Sequence, residues 1–217
     1  MTALESLGAH VASARLATAN DVLLAHVLDT LAAWAAGSRT REGEALVSLL
    51  GSSADTGSAI ALHCASARLS EIDDIHLASM TTPGSIVVPA AFVIAASLPD
   101  HGNGRLADAI VAGYEAMTRL GLAINGPTVL YRGIWPTYFA APIGIAAVGA
   151  RLLGLEATRT ALALALALIT SAPGVGHHNA VTTTRWLAAG NAARNGWLAA
   201  LAAQAGFTSD LGLLEGP

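Results

Sequence analysis

The chain has no lysine; all 11 of its basic residues are arginine. That absence excludes Schiff-base catalysis and any lysine general base, whatever the fold. A single cysteine, Cys64, excludes an intrachain disulfide and a cysteine-rich zinc site. Charged residues make up only 12% of the 217 positions, against 53% apolar, and mean hydropathy is positive. So few charges cannot cover the surface of a small domain, so apolar area is expected to be buried against another subunit, as in a homodimer. The arginines are dispersed and the net charge is −4, which leaves no electrostatic footprint for nucleic acid. Long apolar runs are missing as well: the longest aliphatic stretch, Ala161 to Ile169, is about half of a bilayer span. The N-terminus lacks the basic start and apolar core of a signal peptide. The sequence therefore reads as cytoplasmic, with no membrane association.

What is present is helical periodicity. Asn20 or Asp21 can cap a helix that runs to about Ala36 and stops at Gly37, with Leu24, Val27, Leu28, Leu31 and Trp34 assigned to one face. Further helices fit Arg41 to Leu50, Asp55 to Leu69, and Ser85 to Leu98, the last with Pro89 placed in its first turn. The clearest is Arg105 to Asn125, where Leu106, Ile110, Gly113, Met117, Leu120 and Ile124 recur at spacings of three and four. Tyr138 to Leu153, Glu156 to Thr170 and Trp186 to Ala205 complete the set. Small residues crowd the later helices, and because glycine in a helix costs about 1 kcal/mol relative to alanine, their recurrence implies close helix–helix approach. β-branched stretches are too few for a sheet. One all-α domain over 1–217, a compact multi-helix bundle, is expected.

Three segments are candidates for chemistry. Glu71-Ile72-Asp73-Asp74-Ile75-His76 places three carboxylates and an imidazole at the end of the third helix. Adjacent carboxylates there repel each other and the helix dipole, which would raise a pKa and suit a general acid or base. They would equally serve to satisfy backbone amides and pair with arginines, and His76 has the same two readings. His177-His178 follows Pro173-Gly174-Val175-Gly176, a loop near the Trp186 helix. Adjacent histidines diverge and no Asp, Glu or His sits at i+3 or i+4, so no metal site is expected; an active-site loop or a surface loop remains. Tyr131 to Phe139 gathers aromatics around Arg132, either as core or as the wall of an apolar pocket with Arg132 holding a carboxylate or enolate. Ser/His/Asp and Cys/His nucleophile patterns and phosphate-cradling loops are absent.

The motifs together resemble the N-terminal helical domain of the MmgE/PrpD (2-methylcitrate dehydratase) family, which includes cis-aconitate decarboxylases. The resemblance rests on Leu28-Asp29-Thr30-Leu31-Ala32 with Gly37, Glu71 to His76, Pro83-Gly84-Ser85 with Pro89-Ala90-Ala91, and Gly113-Tyr114-Glu115 with Arg119-Leu120-Gly121. It continues through Arg132-Gly133 with Trp135-Pro136-Thr137, Leu152-Leu153-Gly154-Leu155, Gly190 to Gly196, and Gly206-Phe207-Thr208. Order and spacing hold from about residue 20 onward. The family implies a helical dimer and a cleft closed by a second, α+β lid domain; the expectation for this sequence is the helical domain alone.

The resemblance also implies three proton-handling positions, and each is substituted here. Thr82 stands where a histidine precedes the Pro-Gly-Ser turn, Trp135 where a His-Pro-Thr histidine is usual, and Arg185 where a lysine is usual. Threonine and tryptophan take no proton near neutral pH, and arginine keeps its own. The expectation is a cofactor-independent enzyme on the family scaffold, a cyclase, rearrangement or lyase-type catalyst of specialised (for example polyketide) metabolism, working by proximity and orientation on a small-molecule substrate. Asp73, Asp74, His76, Tyr131 and Arg132 are the candidate catalytic residues. Thr82, Trp135, Tyr138, His177, His178 and Arg185 are the candidate substrate contacts. The rival expectations are the helical subunit of a split dehydratase or decarboxylase, completed by a separately encoded lid-domain subunit, and a non-catalytic remnant that binds a ligand or a partner.

Overall fold

A computed structural model describes residues 1–16, 20–172, 176–177 and 179–215. Ten helices form among them, and no β-strand. In chain order these are α1 (Ala3–Ser13), α2 (Asp21–Gly37), α3 (Arg41–Leu50), α4 (Thr56–Leu69), α5 (Gly84–Ser97), α6 (Leu106–Ala123), α7 (Gly126–Leu130), α8 (Pro136–Leu153), α9 (Ala157–Ile169) and α10 (Thr184–Gln204). The expected helices are present, and α1 and the five-residue α7 are additions. α1 carries a legible signal: Thr2 and Glu5 form a reciprocal capping box, each side chain taking the other's backbone N–H. Asn20, Thr40, Asp55 and Glu156 cap α2, α3, α4 and α9 through their side chains.

The architecture is built around α8. Its side chains are buried almost along its whole length, because α5, α6, α9 and α10 all pack on it. By length and apolarity α8 alone among the described helices would span a bilayer, yet here it is the central core helix. α4 is covered by α2, α3, α5 and α10, which brings the chain leaving α4 to the start of α5. The core is aliphatic and small: Ile86, Val87, Ile94, Met117, Ile143, Ile145, Leu152 and Leu164 are filled in by alanines from every packed helix.

Two expectations are corrected. On α2, Leu24, Leu28 and Leu31 are exposed, while the buried face is Thr30, Ala33 and Gly37 with Leu23 and Val27 against the core. The stripe assigned from spacing mixed two faces, because α2 is apolar nearly all round and its period carries little directional information. Pro89 is not in the first turn of α5: the helix begins at Gly84, so Pro89 lies in the second turn, fully buried.

The close helix approach inferred from the glycines is observed. A Cβ on Gly190 would lie 2.5 Å from the Ala61 carbonyl oxygen of α4, and one on Gly196 would lie 2.3 Å from the Pro142 carbonyl oxygen and 2.8 Å from Ile145 Cβ of α8. Gly196→Ala gains about 1 kcal/mol of helix propensity. It meets unyielding backbone, so overpacking of up to about 3 kcal/mol decides the sign. A net loss of stability in urea unfolding is expected; a raised midpoint would show that α10 can shift away at little cost.

Candidate functional site

The segment between α4 and α5 builds the site. α4 ends at Leu69, and Glu71 then takes a left-handed backbone conformation, φ 52°, which non-glycine residues seldom adopt. The chain turns back on itself through one antiparallel backbone bridge, His76 N–H donating to Thr81 O at 2.8 Å. Within this loop Asp73 and Asp74 send their side chains into two separate networks.

Asp73 points inward. Only 1% of its side chain is exposed, and Oδ1 accepts from Arg68 Nη1 at 3.0 Å. Burial pushes its carboxyl above the usual carboxylate range, and the Arg68 charge opposes that shift. Arg68, itself buried, reaches Glu71 at 3.7 Å, and Glu71 in turn forms an ion pair with Arg185 Nη1 at 3.0 Å. The Arg185 guanidinium lies 4.3 Å from the Trp186 ring and 5.7 Å from the Trp135 ring. Trp135 stacks on Tyr138 at 5.6 Å and 12°, and its Nε1 donates to Gly176 O at 3.3 Å. Burial raises the Tyr138 phenol above its ordinary value, with the nearby arginines opposing. Among the described residues four buried polar atoms in this cluster have no hydrogen-bond partner, namely Arg68 Nε, Asp73 Oδ2, the Tyr138 hydroxyl and Arg185 Nε, although Ser85 lies close enough to the Asp73 carboxylate to favour its charged form. Leu69, Arg185, Trp186 and residues 179–183 line a 450 Å³ cleft at its edge.

Asp74 points the other way. Oδ2 accepts from the Tyr114 hydroxyl at 2.8 Å and pairs with His26 Nδ1 at 2.9 Å, and Oδ1 accepts from the Gly84 amide at 2.8 Å. One carboxylate thus ties α2, α6 and the N-terminus of α5 together, where the helix dipole favours an anion.

The sequence-predicted residues divide accordingly. Asp73, Trp135, Tyr138 and Arg185 meet in one cluster. Thr82 is buried nearby, its N–H donating to Thr137 Oγ1 at 3.0 Å and its hydroxyl 3.2 Å from the same oxygen. Asp74 belongs to the opposite network. His76 is exposed, with Nδ1 2.8 Å from Ser79 Oγ. Tyr131 is 74% exposed and Arg132 is also exposed, both after α7. His177 is exposed, its carbonyl accepting from Ala180 N–H at 3.0 Å, and His178 lies outside the described residues. Sequence reasoning missed Arg68, Glu71 and Trp186 as members of the cluster, and His26 and Tyr114 as partners of Asp74. Tyr114 stood within the Gly113-Tyr114-Glu115 motif, whereas nothing local marked His26. The one thiol, Cys64, is fully buried, donates to Ile86 O and is pushed up by burial, so it is no nucleophile.

Fold and site together define an all-α domain, built on one buried helix, that gathers an arginine–carboxylate–aromatic cluster beside a cleft. The chain belongs to the MmgE/PrpD family, whose N-terminal domain matches residues 23–217. The cis-aconitate decarboxylase of Aspergillus terreus is 33% identical over 154 residues, 68% of this chain and 31% of that protein. A cis-aconitate decarboxylase-like protein of Aspergillus oryzae is 32% identical over 146 residues, 63% of this chain and 30% of that protein. The matched segment therefore covers under a third of each relative's length.

Proposed function

We propose that the chain acts as a cofactor-independent cyclase or lyase-type enzyme in which Arg185 holds the carboxylate or enolate of a small, largely apolar substrate. Trp135, Trp186 and Tyr138 then template its conformation. The observation that carries this reading is the set of four buried polar atoms without a partner among the described residues, one of them on Arg185, which lines the cleft. Unsatisfied buried groups of this kind are costly unless a ligand or water completes them, and a cluster of them is characteristic of a binding site. The relatives decarboxylate or resemble decarboxylases of cis-aconitate, an acid, and a cation at Arg185 fits retention of an acid-binding function. Thr82, Trp135 and Arg185 offer no proton acceptor, so the reaction draws on orientation and hydrogen bonding rather than a strong base.

A second reading has its own support. Ile72, Ile75 and Leu77, large apolar side chains in the loop that carries the site, are exposed. That surface suits closure by a lid-domain subunit encoded separately, and the exposed Leu24, Leu28 and Leu31 on α2 suit a homodimer. Incubation of the purified chain with cis-aconitate is expected to leave it intact by proton NMR, while linear conjugated carboxylic acids bearing an internal nucleophile are cyclised. Release of carbon dioxide from cis-aconitate by the chain alone would overturn the proposal. Turnover that appears only when a lid-domain protein is added would favour the split enzyme.

A further inference from the structure

The Asp74 network has the geometry of a reactive site of its own. Asp74 is 10% exposed, its two oxygens accept from the Gly84 amide and the Tyr114 hydroxyl, and His26 Nδ1 lies 2.9 Å away, so the carboxyl group is held at a fixed position. His26 is 43% exposed and, with Asp21, Val22, Ala25, Asp29 and Asp74, lines a 460 Å³ cavity on α2. A carboxylate oxygen accepts, so the 2.9 Å contact selects the tautomer in which Nδ1 donates and the lone pair stands on Nε2. Nε2 has no partner among the described residues. The Tyr114 ring meets the imidazole edge-on at 5.6 Å and limits its rotation. A carboxylate that fixes the tautomer and orientation of an accessible imidazole is the arrangement that makes histidine an effective base or nucleophile.

We propose that His26, positioned by Asp74, is an acyl-accepting nucleophile serving small acyl donors that enter the α2 cavity. Nε2 attacks the acyl carbon, the C–O bond to the leaving group breaks, and the leaving group departs with the electron pair. The acyl-imidazolium keeps its proton on Nδ1, hydrogen-bonded to the Asp74 carboxylate. Water then adds to the acyl carbon, the C–N bond breaks, and the acid and one proton are released with neutral His26 restored. Among the described residues no arginine lines the cavity, and three carboxylates do, so neutral and cationic donors are accepted and anionic ones are repelled. This site does not depend on the Arg185 cleft.

The test uses the whole chain and two probes. With limiting diethyl pyrocarbonate at neutral pH, peptide mapping is expected to show His26 modified at least about tenfold faster than His101 and His177, exposed imidazoles in the same molecule. Neutral 4-nitrophenyl acetate is expected to turn over faster than its anionic analogue 4-acetoxy-3-nitrobenzoate, with the difference abolished in His26→Gln. In Asp74→Asn, His26 should fall to the rate of His101; the comparison within the unmodified protein stands even where that variant does not fold. Equal modification of His26, His101 and His177, or equal turnover of the two esters, would overturn the proposal.

Discussion

Replacement of Arg68 by methionine is expected to lower stability by about 3–5 kcal/mol, because it strands a buried charge. Arg68 and Asp73 are both shielded from water, and their 3.0 Å bond is the only ion pair of Asp73 among the described residues. The loss should depend on pH in a defined direction. Burial holds the Asp73 carboxyl above its ordinary value of 3.8. A group shifted upward in this way supports the fold below its unfolded pKa, and that support is lost as pH rises through the folded value. Removal of Arg68 takes away the one charge opposing the shift, so the penalty should be large near neutrality and shrink on acidification. Urea unfolding at neutral pH and near the unfolded carboxyl pKa checks this. The same loss at both would mean that Asp73 is not the stranded group, and recovery in the Arg68→Met, Asp73→Asn double variant would confirm that it is.

Loss of Arg185 is expected to remove anion binding while leaving the fold in place. Hydrogen bonds to charged groups contribute about 1.5–3 kcal/mol, so Arg185→Gln should weaken binding of an aromatic carboxylate such as cinnamate roughly ten- to hundred-fold by calorimetry. Arg185→Lys should not restore it. The guanidinium is a flat plate between Trp186 and Trp135 with one edge on Glu71, and an ammonium neither stacks nor presents a fork. Wild-type affinity in the lysine variant would show that only the charge counts, and would remove the templating part of the proposed function.

The helices are legible because α6, α8, α9 and α10 carry long apolar patterns and the cap of α2 sits at Asn20, where the sequence places it. α1 escaped notice although its capping box is written in Thr2 and Glu5. Facing directions were less legible: on α2 most positions are apolar, so Leu24 and Leu28 look no different from Leu23 and Val27. The site was half visible. Asp73, Trp135, Tyr138 and Arg185 were named in advance and meet in space, since the segments that carry them are distinctive. Arg68 on α4 and Trp186 on α10 join them only through tertiary packing. That Asp73 and Asp74 diverge is what adjacent side chains do, but the partner each one meets, Arg68 for Asp73 and His26, Tyr114 and Gly84 for Asp74, is set by tertiary packing and has no local pattern.

The central position of α8 has a consequence for how the protein is made. The last residue of α8 is Leu153, and α10, one of the helices packed on it, ends at Gln204. At roughly 5–20 residues per second, a ribosome needs about 3–10 s to cross that gap. For those seconds the nascent chain carries an apolar helix that α5 and α6 can cover on one side, while the cover from α10 has not yet been synthesised. A messenger RNA slowed between these two helices is expected to yield more aggregate and less folded protein, with the amino-acid sequence unchanged.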